Sequence, residues 1–178
     1  PPSDMATAGH TCYHCKQWVN EGEAHDCWTT TEAALTRDLP EDLRTRILEV
    51  QQKAGFVPNV FLALAHRPAE WRAFMAYHDA LLLKDSGNLS KGEREMIVVA
   101  TSAANQCLYC VVAHGAILRV YEKKPLIADQ LATNYRKADI TPRQRAMLDF
   151  AMKVCTDSAA VEEADFAALR AHGFDDED

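Results

Sequence analysis

Helix start signals recur along the chain after residue 36, and they restrict its fold more than any other feature. Pro40 and Pro68 each stand before apolar residues at helical spacing, and the first turn of a helix tolerates proline because its N–H needs no partner. Ser90-x-x-Glu93 is a capping box, in which each side chain bonds the other residue's backbone N–H. No window alternates apolar and polar residues between turns, as a half-buried strand does. The sequence therefore predicts an all-α fold.

The last part of the chain contains another strong helix start and a final helix. Thr141-x-x-Gln144 is a second capping box, and Pro142 occupies its first helical position. Apolar residues continue at helical spacing over residues 161–171, and Gly173 ends that pattern. We therefore expect helices up to the last few residues of the chain.

The N-terminal segment, residues 1–36, differs in composition from residues 37–178. It contains three of the six cysteines, three of the seven histidines and two of the three tryptophans, without a helical stripe of apolar residues. We therefore predict two parts: a small Cys/His-rich module over residues 1–36 and a helical domain over residues 37–178.

The composition argues against several classes of function. With 19 Lys and Arg against 26 Asp and Glu, the formal net charge is −7, which disfavours nucleic-acid binding through a basic surface. Charged residues interrupt every apolar stretch, so we expect no transmembrane helix and no membrane partner. The N-terminus lacks the pattern of a signal peptide. Four of the six cysteines form two Cys-x-x-Cys pairs, which fits redox or metal use in a reducing compartment, and we expect a cytoplasmic protein.

Two thiols and an imidazole occur at fixed spacing in one helical run. Cys107 and Cys110 are three residues apart and His114 follows four residues later, so both sulfurs and the imidazole share a helix face. Asn105 or Gln106 is the expected break that places Cys107 near the helix start. There the free N–H groups and the helix dipole stabilise a thiolate, which is the nucleophilic form of cysteine.

A carboxylate accompanies these groups from the preceding helix. Glu93 belongs to the capping box of Ser90, so we assign it a structural role. Glu95 lies two residues further on and is free for another role. A carboxylate, two thiols and an imidazole are what is needed to ionise a thiol and cycle it through a disulfide.

Two other interpretations of this run stay open. Both cysteines are compatible with burial as small apolar residues. Cys107, Cys110 and His114 are alternatively three zinc ligands on one helix face. A thioredoxin fold is disfavoured, because its motif follows a β-strand, whereas residues 96–106 have a helical pattern.

The pattern Glu95-x11-Cys107-x2-Cys110-x3-His114 resembles the signature of the alkylhydroperoxidase D family, within the carboxymuconolactone decarboxylase superfamily. The sequence from Leu43 to about residue 174 is similar to the peroxidase-related branch of that family. The resemblance implies a compact helical bundle that assembles as a homo-oligomer, a trimer or a hexamer. It also implies one further apolar helix beyond residue 174, which this sequence does not contain.

The resemblance also implies roles for the four residues. Cys110 would be the thiol that attacks a hydroperoxide, and Cys107 would resolve the product by forming the intramolecular disulfide. His114 and Glu95 would relay the proton. The reductant would be a dithiol, such as a lipoyl group or a thioredoxin-like protein, and the helical domain would need no cofactor. Tyr109 departs from members that have histidine there, which favours disulfide exchange over fast peroxidase turnover.

The N-terminal module contains a second cluster of cysteine and histidine. Cys12-x-x-Cys15 is followed by His25-x-Cys27, which is a zinc-finger-like arrangement of four ligands. A segment this short has too little apolar mass to fold alone, so a structural zinc ion would supply folding free energy. The alternatives are a tail whose cysteines have no role, and redox use of these thiols.

The leading hypothesis is a thiol-dependent oxidoreductase that reduces peroxides through Cys107 and Cys110. One alternative is a non-enzymatic oligomeric scaffold with a zinc-dependent interaction module. Another is a thiol-independent, decarboxylase-like enzyme that uses Glu95 and His114 for acid–base chemistry.

Overall fold

The computed structural model of the chain describes residues 8–12, 18–23, 39–55, 57–84 and 87–178. These residues are mostly helical, which confirms the all-α prediction. They divide into two compact units, one ending at Tyr77 and the other beginning at His78. The predicted boundary between residues 36 and 37 lies outside the described segments and stays a prediction. Within those segments, no helix is long and apolar enough to cross a membrane.

A short hairpin precedes the helices. Strands β1 (Gly9–Thr11) and β2 (Trp18–Asn20) pair antiparallel. A Cβ at Gly9 would lie 2.4 Å from the carbonyl oxygen of Val19, so this close approach requires glycine. Val19 and Cys12 are buried together beside the strands. This hairpin was not predicted from the sequence, because three residues are too few for alternation to be recognised.

Three helices form the core of the first unit: α1 (Glu41–Ala54), α2 (Asn59–Ala65) and α3 (Pro68–His78). Helix α1 ends at Gly55, whose φ of 80° is the left-handed conformation that glycine adopts at helix ends. The buried side chains of these helices and their connections form one apolar cluster: Leu43, Ile47, Val57, Ala65, Trp71 and Met75.

The second unit begins with a π-helical segment, Asp79–Leu83, and continues with five α-helices. They are α4 (Lys91–Ala104), α5 (Leu108–Glu122), α6 (Ile127–Asn134), α7 (Pro142–Asp157) and α8 (Glu163–Ala171). Both predicted capping boxes are confirmed at the starts of α4 and α7. The last helix begins two residues later than expected, after a 3₁₀ turn over residues 158–160.

Helix α4 lies at the centre of this unit and packs against α5, α6 and α7. The core contains side chains from all four helices and from the C-terminal segment: Met96, Val99, Ala100, Leu118, Ile127, Ala128, Leu131, Tyr135, Ala138, Met147, Leu148 and Phe174. A Cβ at Gly115 would lie 3.1 Å from the Cβ of Ala128, so glycine allows α6 to approach α5 closely. Helix α6 therefore packs against both α4 and α5.

Glu93 is a structural residue, as the capping box predicts. Its carboxylate accepts a hydrogen bond from the Ser90 N–H at 2.9 Å. It also accepts one from Nη1 of Arg143 at 2.5 Å, and that guanidinium stacks 3.9 Å from the ring centroid of Phe174. The buried Glu93 therefore ties the start of α4 to α7 and to the C-terminal segment.

Candidate redox site

The turn between α4 and α5 fixes the position of Cys107. Helix α4 ends in a Schellman motif, in which the N–H of Gln106 bonds the carbonyl of Ala103 and the N–H of Cys107 bonds the carbonyl of Ser102. Gln106 has a φ of 56°, in the left-handed region that favours glycine. The expected helix break at Asn105 or Gln106 is confirmed, and Cys107 is both the last residue of this motif and the N-cap of α5.

Both cysteines of this motif lie in the first turn of α5. The Sγ of Cys107 accepts a hydrogen bond from the backbone N–H of Cys110 at 3.3 Å, as an N-cap side chain does. The two residues are joined by a disulfide, with their Cα atoms 5.4 Å apart. Both cysteines are half-buried. The structure therefore represents the oxidised form of a pair whose first sulfur accepts a hydrogen bond from an N–H in the first turn of α5.

Helix α7 supports this turn through Asn105. The side-chain amide of Asn105 donates to the carbonyl of Thr101 at 2.9 Å and to the Sγ of Cys155 at 3.1 Å. Cys155 is half-buried. This contact joins residues 50 positions apart, so no local sequence signal could reveal it.

Glu95 and His114 face each other across the antiparallel helices α4 and α5. Their Oε2 and Nδ1 atoms are 2.7 Å apart. A carboxylate only accepts hydrogen bonds, so Nδ1 carries the proton and Nε2 of a neutral ring has a free lone pair. Glu95 is 5% exposed, and the side chain of His114 is 25% exposed. The carboxylate of the pair is therefore buried, whereas the imidazole is partly accessible to solvent.

The short turn explains why these two residues meet. Two antiparallel helices joined by a few residues are neighbours along their length. Glu95 lies about 14 Å before the end of α4, and His114 lies about 9 Å after the start of α5, at a rise of 1.5 Å per residue. The carboxylate therefore reaches the imidazole from one helix to the next.

Tyr109 lies between the two cysteines on the exposed side of α5. Its side chain is 47% exposed, and desolvation by the surrounding protein raises the pKa of its hydroxyl. The phenol is therefore neutral at ordinary pH and does not act as a base. This agrees with the expectation that Tyr109 replaces a titrating residue with one that does not titrate near neutrality.

The predicted zinc ligands fall in the N-terminal segment. Cys12 is described and buried, directly after β1. Cys15, His25 and Cys27 lie outside the described residues, so the zinc site stays a prediction. Among the residues that the structure describes, no three or more His, Cys, Asp or Glu side chains are grouped to hold a metal.

Comparisons with known proteins identify the family of the helical domain. The model of the carboxymuconolactone decarboxylase family matches residues 68–151, which include Glu95, Cys107, Cys110 and His114. No match was found among the curated proteins.

Two solved bacterial structures are similar to the chain. One, from Ralstonia eutropha JMP134, is described as an alkylhydroperoxidase AhpD core and an uncharacterized peroxidase-related protein. It is 79% identical with a TM-score of 0.75, over 80% of this chain and 74% of that one. The other, an uncharacterized peroxidase-related protein from Silicibacter sp. TM1040, is 46% identical with a TM-score of 0.73, over 78% of this chain and 72% of that one.

Proposed function

The chain belongs to the carboxymuconolactone decarboxylase family, and we propose that it reduces hydroperoxides through a dithiol–disulfide cycle of Cys107 and Cys110. The main support is the disulfide at the start of α5, the helix that also carries His114, whose imidazole pairs with the buried Glu95 of α4. The peroxidase-related names of the two similar structures support the same class of reaction.

The first step uses the reduced form of the pair. His114 lies one helical turn after Cys110 and takes its proton through Nε2, while Glu95 stabilises the protonated ring. The Cys110 thiolate attacks the outer oxygen of ROOH, the O–O bond breaks, and the alkoxide takes the proton back from His114 and leaves as ROH. Cys110 is then a sulfenic acid, and the peroxide has received two electrons.

The second step forms the disulfide. The thiol of Cys107 attacks the sulfur of the Cys110 sulfenic acid, the S–O bond breaks, and hydroxide leaves as water with the proton from Cys107. The N-cap position supports this role for Cys107, because the N–H of Cys110 is placed to stabilise its thiolate.

The third step reduces the disulfide to two thiols and oxidises an external dithiol. One thiolate of the reductant attacks the sulfur of Cys110, and the thiolate of Cys107 leaves. The N-cap hydrogen bond stabilises the Cys107 thiolate, so Cys107 is a better leaving group than Cys110. The second thiol of the reductant then attacks the mixed disulfide and displaces the thiolate of Cys110. The reductant leaves as a cyclic or intramolecular disulfide. A lipoyl group and a thioredoxin-like protein are the two candidates for this reductant.

Peroxide consumption in the presence of dihydrolipoamide or reduced thioredoxin tests this proposal. We expect turnover by the unmodified protein and loss of turnover in Cys110→Ser. Cys155→Ser is the matched control, because it removes a thiol outside both Cys-x-x-Cys pairs and leaves an oxygen that can accept the hydrogen bond from Asn105, and it should retain turnover. No turnover with any dithiol would favour a scaffold role. An unchanged rate in Cys110→Ser would favour acid–base chemistry by Glu95 and His114 without thiols.

We further propose that the N-terminal module holds a structural zinc ion through Cys12, Cys15, His25 and Cys27. The support is the spacing of the four ligands and the burial of Cys12 beside the hairpin. Metal analysis of protein purified without chelator should give about one zinc per chain. The double variant Cys12→Ser/Cys15→Ser should lose it, and zinc retained by that variant would refute the assignment.

A further inference from the structure

The turn between α4 and α5 contains a residue in a conformation that its side chain disfavours. Gln106 has a φ of 56°, and residues 105–107 are all that connects the two helices. A non-glycine residue keeps such a conformation where the surrounding structure holds it. The contacts that this turn makes with its neighbours therefore affect the position of Cys107.

Asn105 makes two such contacts. Its side chain is exposed, yet its amide donates hydrogen bonds to the carbonyl of Thr101 at 2.9 Å and to the Sγ of Cys155 at 3.1 Å. The first bond stays within the last turn of α4, and the second crosses to α7. Water would satisfy an exposed amide equally well, so the fold does not require these bonds. Their effect is to fix the chain two residues before Cys107.

The disulfide constrains the same segment from the other side. It joins Cys107, the N-cap of α5, to Cys110 in the first turn of that helix. Two constraints on one segment favour each other, because each removes conformational freedom that the other then need not remove. We propose that Asn105 is a positioning residue for Cys107 and Cys110, and that its hydrogen bonds shift the equilibrium of this pair towards the disulfide.

The direction of the shift follows from thermodynamic linkage. In the disulfide form a covalent bond already restricts the turn, so the amide of Asn105 forms its hydrogen bonds at a small loss of entropy. In the dithiol form the same bonds must restrict a freer segment. They are therefore stronger in the disulfide form, and by reciprocity they stabilise that form.

This role rests on the dithiol–disulfide cycle proposed above and concerns its second step. Once Cys110 is a sulfenic acid, Cys107 must reach it before a second peroxide oxidises it to the sulfinic acid, which the cycle does not reduce. A turn held in place keeps the Cys107 thiol at a high effective concentration beside Cys110. Asn105 therefore favours closure of the disulfide over further oxidation.

The equilibrium of the protein with glutathione tests the proposal. Two molecules of glutathione reduce the protein disulfide to two thiols and become one glutathione disulfide, so the reduced fraction at each ratio gives an equilibrium constant. Asn105→Ala should make the disulfide about five-fold easier to reduce, as expected for the loss of a neutral hydrogen bond. An unchanged equilibrium would overturn the proposal. A shift towards the disulfide would also overturn it, because Asn105 would then favour the dithiol.

Glu93→Gln is the matched control for a loss of stability. It weakens the cap at the opposite end of α4 and does not touch the turn, so the fold should become less stable while the equilibrium with glutathione stays unchanged. An equal shift in Glu93→Gln and Asn105→Ala would contradict a positioning role, because it would follow stability alone.

Variants of Cys155 test whether the contact with α7 carries the effect. Cys155→Ala removes the acceptor and should shift the equilibrium in the same direction as Asn105→Ala, whereas Cys155→Ser keeps an acceptor and should not. The double variant Asn105→Ala/Cys155→Ala should shift no further than Asn105→Ala, since both changes break the same hydrogen bond. Additive shifts would contradict the proposal.

These measurements use no peroxide, so they separate the role of Asn105 from the proposed reaction. The predicted shift in a protein that does not consume peroxide would support the positioning role and refute the reaction. Peroxide turnover with an unshifted equilibrium in Asn105→Ala would refute the positioning role alone.

Discussion

Gln106 is the residue on which the geometry of the turn between α4 and α5 depends. Its positive φ lets α4 end in a Schellman motif and places the next residue, Cys107, at the N-cap of α5. A non-glycine side chain in this conformation costs about 1–2 kcal/mol. The turn has no Gly or Asn at this position, which is why the sequence could not distinguish Asn105 from Gln106 as the break.

Gln106→Gly should therefore stabilise the protein. Glycine removes the steric cost of the left-handed conformation but loses more entropy on folding, so we expect a net gain of about 0.5–1 kcal/mol in the free energy of unfolding. Gln106→Val should have the opposite sign, because a β-branched side chain tolerates this conformation least. Urea denaturation of both variants measures the effect, and a loss of stability in Gln106→Gly would show that the side chain makes a compensating contact.

Glu95 should affect the rate of the reaction more than the stability of the fold. Glu95→Gln keeps the volume of the side chain but removes the charge that stabilises a protonated His114. If the pair moves the proton of Cys110, we expect about a 100-fold slower reaction of the reduced protein with peroxide. Stopped-flow measurement of thiol loss after mixing with peroxide gives this rate.

Glu93→Gln is the matched control for Glu95→Gln. Glu93 is a buried acid on the same helix, but it caps α4 and binds Arg143. Its replacement should lower the free energy of unfolding and leave the reaction rate near that of the unmodified protein. The opposite result, a slower reaction with peroxide in Glu93→Gln and an unchanged rate in Glu95→Gln, would show that the two acids have the reverse of the roles proposed here.

The sequence could separate these two acids because a capping box is a local pattern with a fixed spacing. The same is true of the spacing of Cys107, Cys110 and His114 on one helix. The contact of Asn105 with Cys155 could not be foreseen, because it depends on how α7 packs against the end of α4. Local patterns therefore predicted the cap at Glu93 and the common helix of Cys107, Cys110 and His114, whereas tertiary packing placed Asn105 against Cys155.

At the scale of helices, α7 and α8 are joined by one ion pair. Nζ of Lys153 lies 2.9 Å and 2.7 Å from the two carboxylate oxygens of Asp165. Asp165 also accepts a hydrogen bond from the backbone N–H of Glu162 at the start of α8. The hydrogen bond from Lys153 is the largest cause that lowers the pKa of Asp165 below its ordinary value of 3.8.

This pair predicts a pH dependence of stability. Because the pKa of Asp165 is lower in the folded chain than in the unfolded chain, the unfolded chain binds the proton more tightly. The contribution of Asp165 is therefore complete above its ordinary pKa and is lost as the pH falls through the lower, folded value. Asp165→Asn should remove this contribution and weaken the loss of stability in acid.

Thermal unfolding of Asp165→Asn between neutral pH and pH 3 measures this effect. Asp176→Asn, an exposed acid near the C-terminus, is the control for the change in net charge. The variant and the unmodified protein should differ at neutral pH and converge in acid. A constant difference over the whole range would show that the ionised form of Asp165 is not what stabilises the α7–α8 contact.

Helix starts were predictable at this scale because capping residues and prolines act on their own first turn. Both capping boxes occur where the sequence places them. The hairpin of Gly9–Thr11 and Trp18–Asn20 and the π-helical segment of Asp79–Leu83 were missed. Both segments are too short to show a hydrophobic period in the sequence, so their conformation depends on the residues that pack against them.

At the scale of the whole molecule, the proposed chemistry lies in the second unit. Glu95, Cys107, Cys110 and His114 all belong to the unit that begins at His78 and contains the redox turn. The first unit has its own apolar core, and the N-terminal hairpin of this unit precedes the core helices in the sequence. The two Cys-x-x-Cys pairs of the chain therefore belong to different units, and they can be tested separately.

A single-turnover experiment tests the dithiol cycle most directly. Fully reduced protein is mixed with one equivalent of hydroperoxide, and the remaining thiols are alkylated and located by peptide mass spectrometry. One disulfide between Cys107 and Cys110 should form for each peroxide consumed, and Cys110→Ser should form none. Peroxide consumption that leaves both of these cysteines open to alkylation would contradict the proposed cycle.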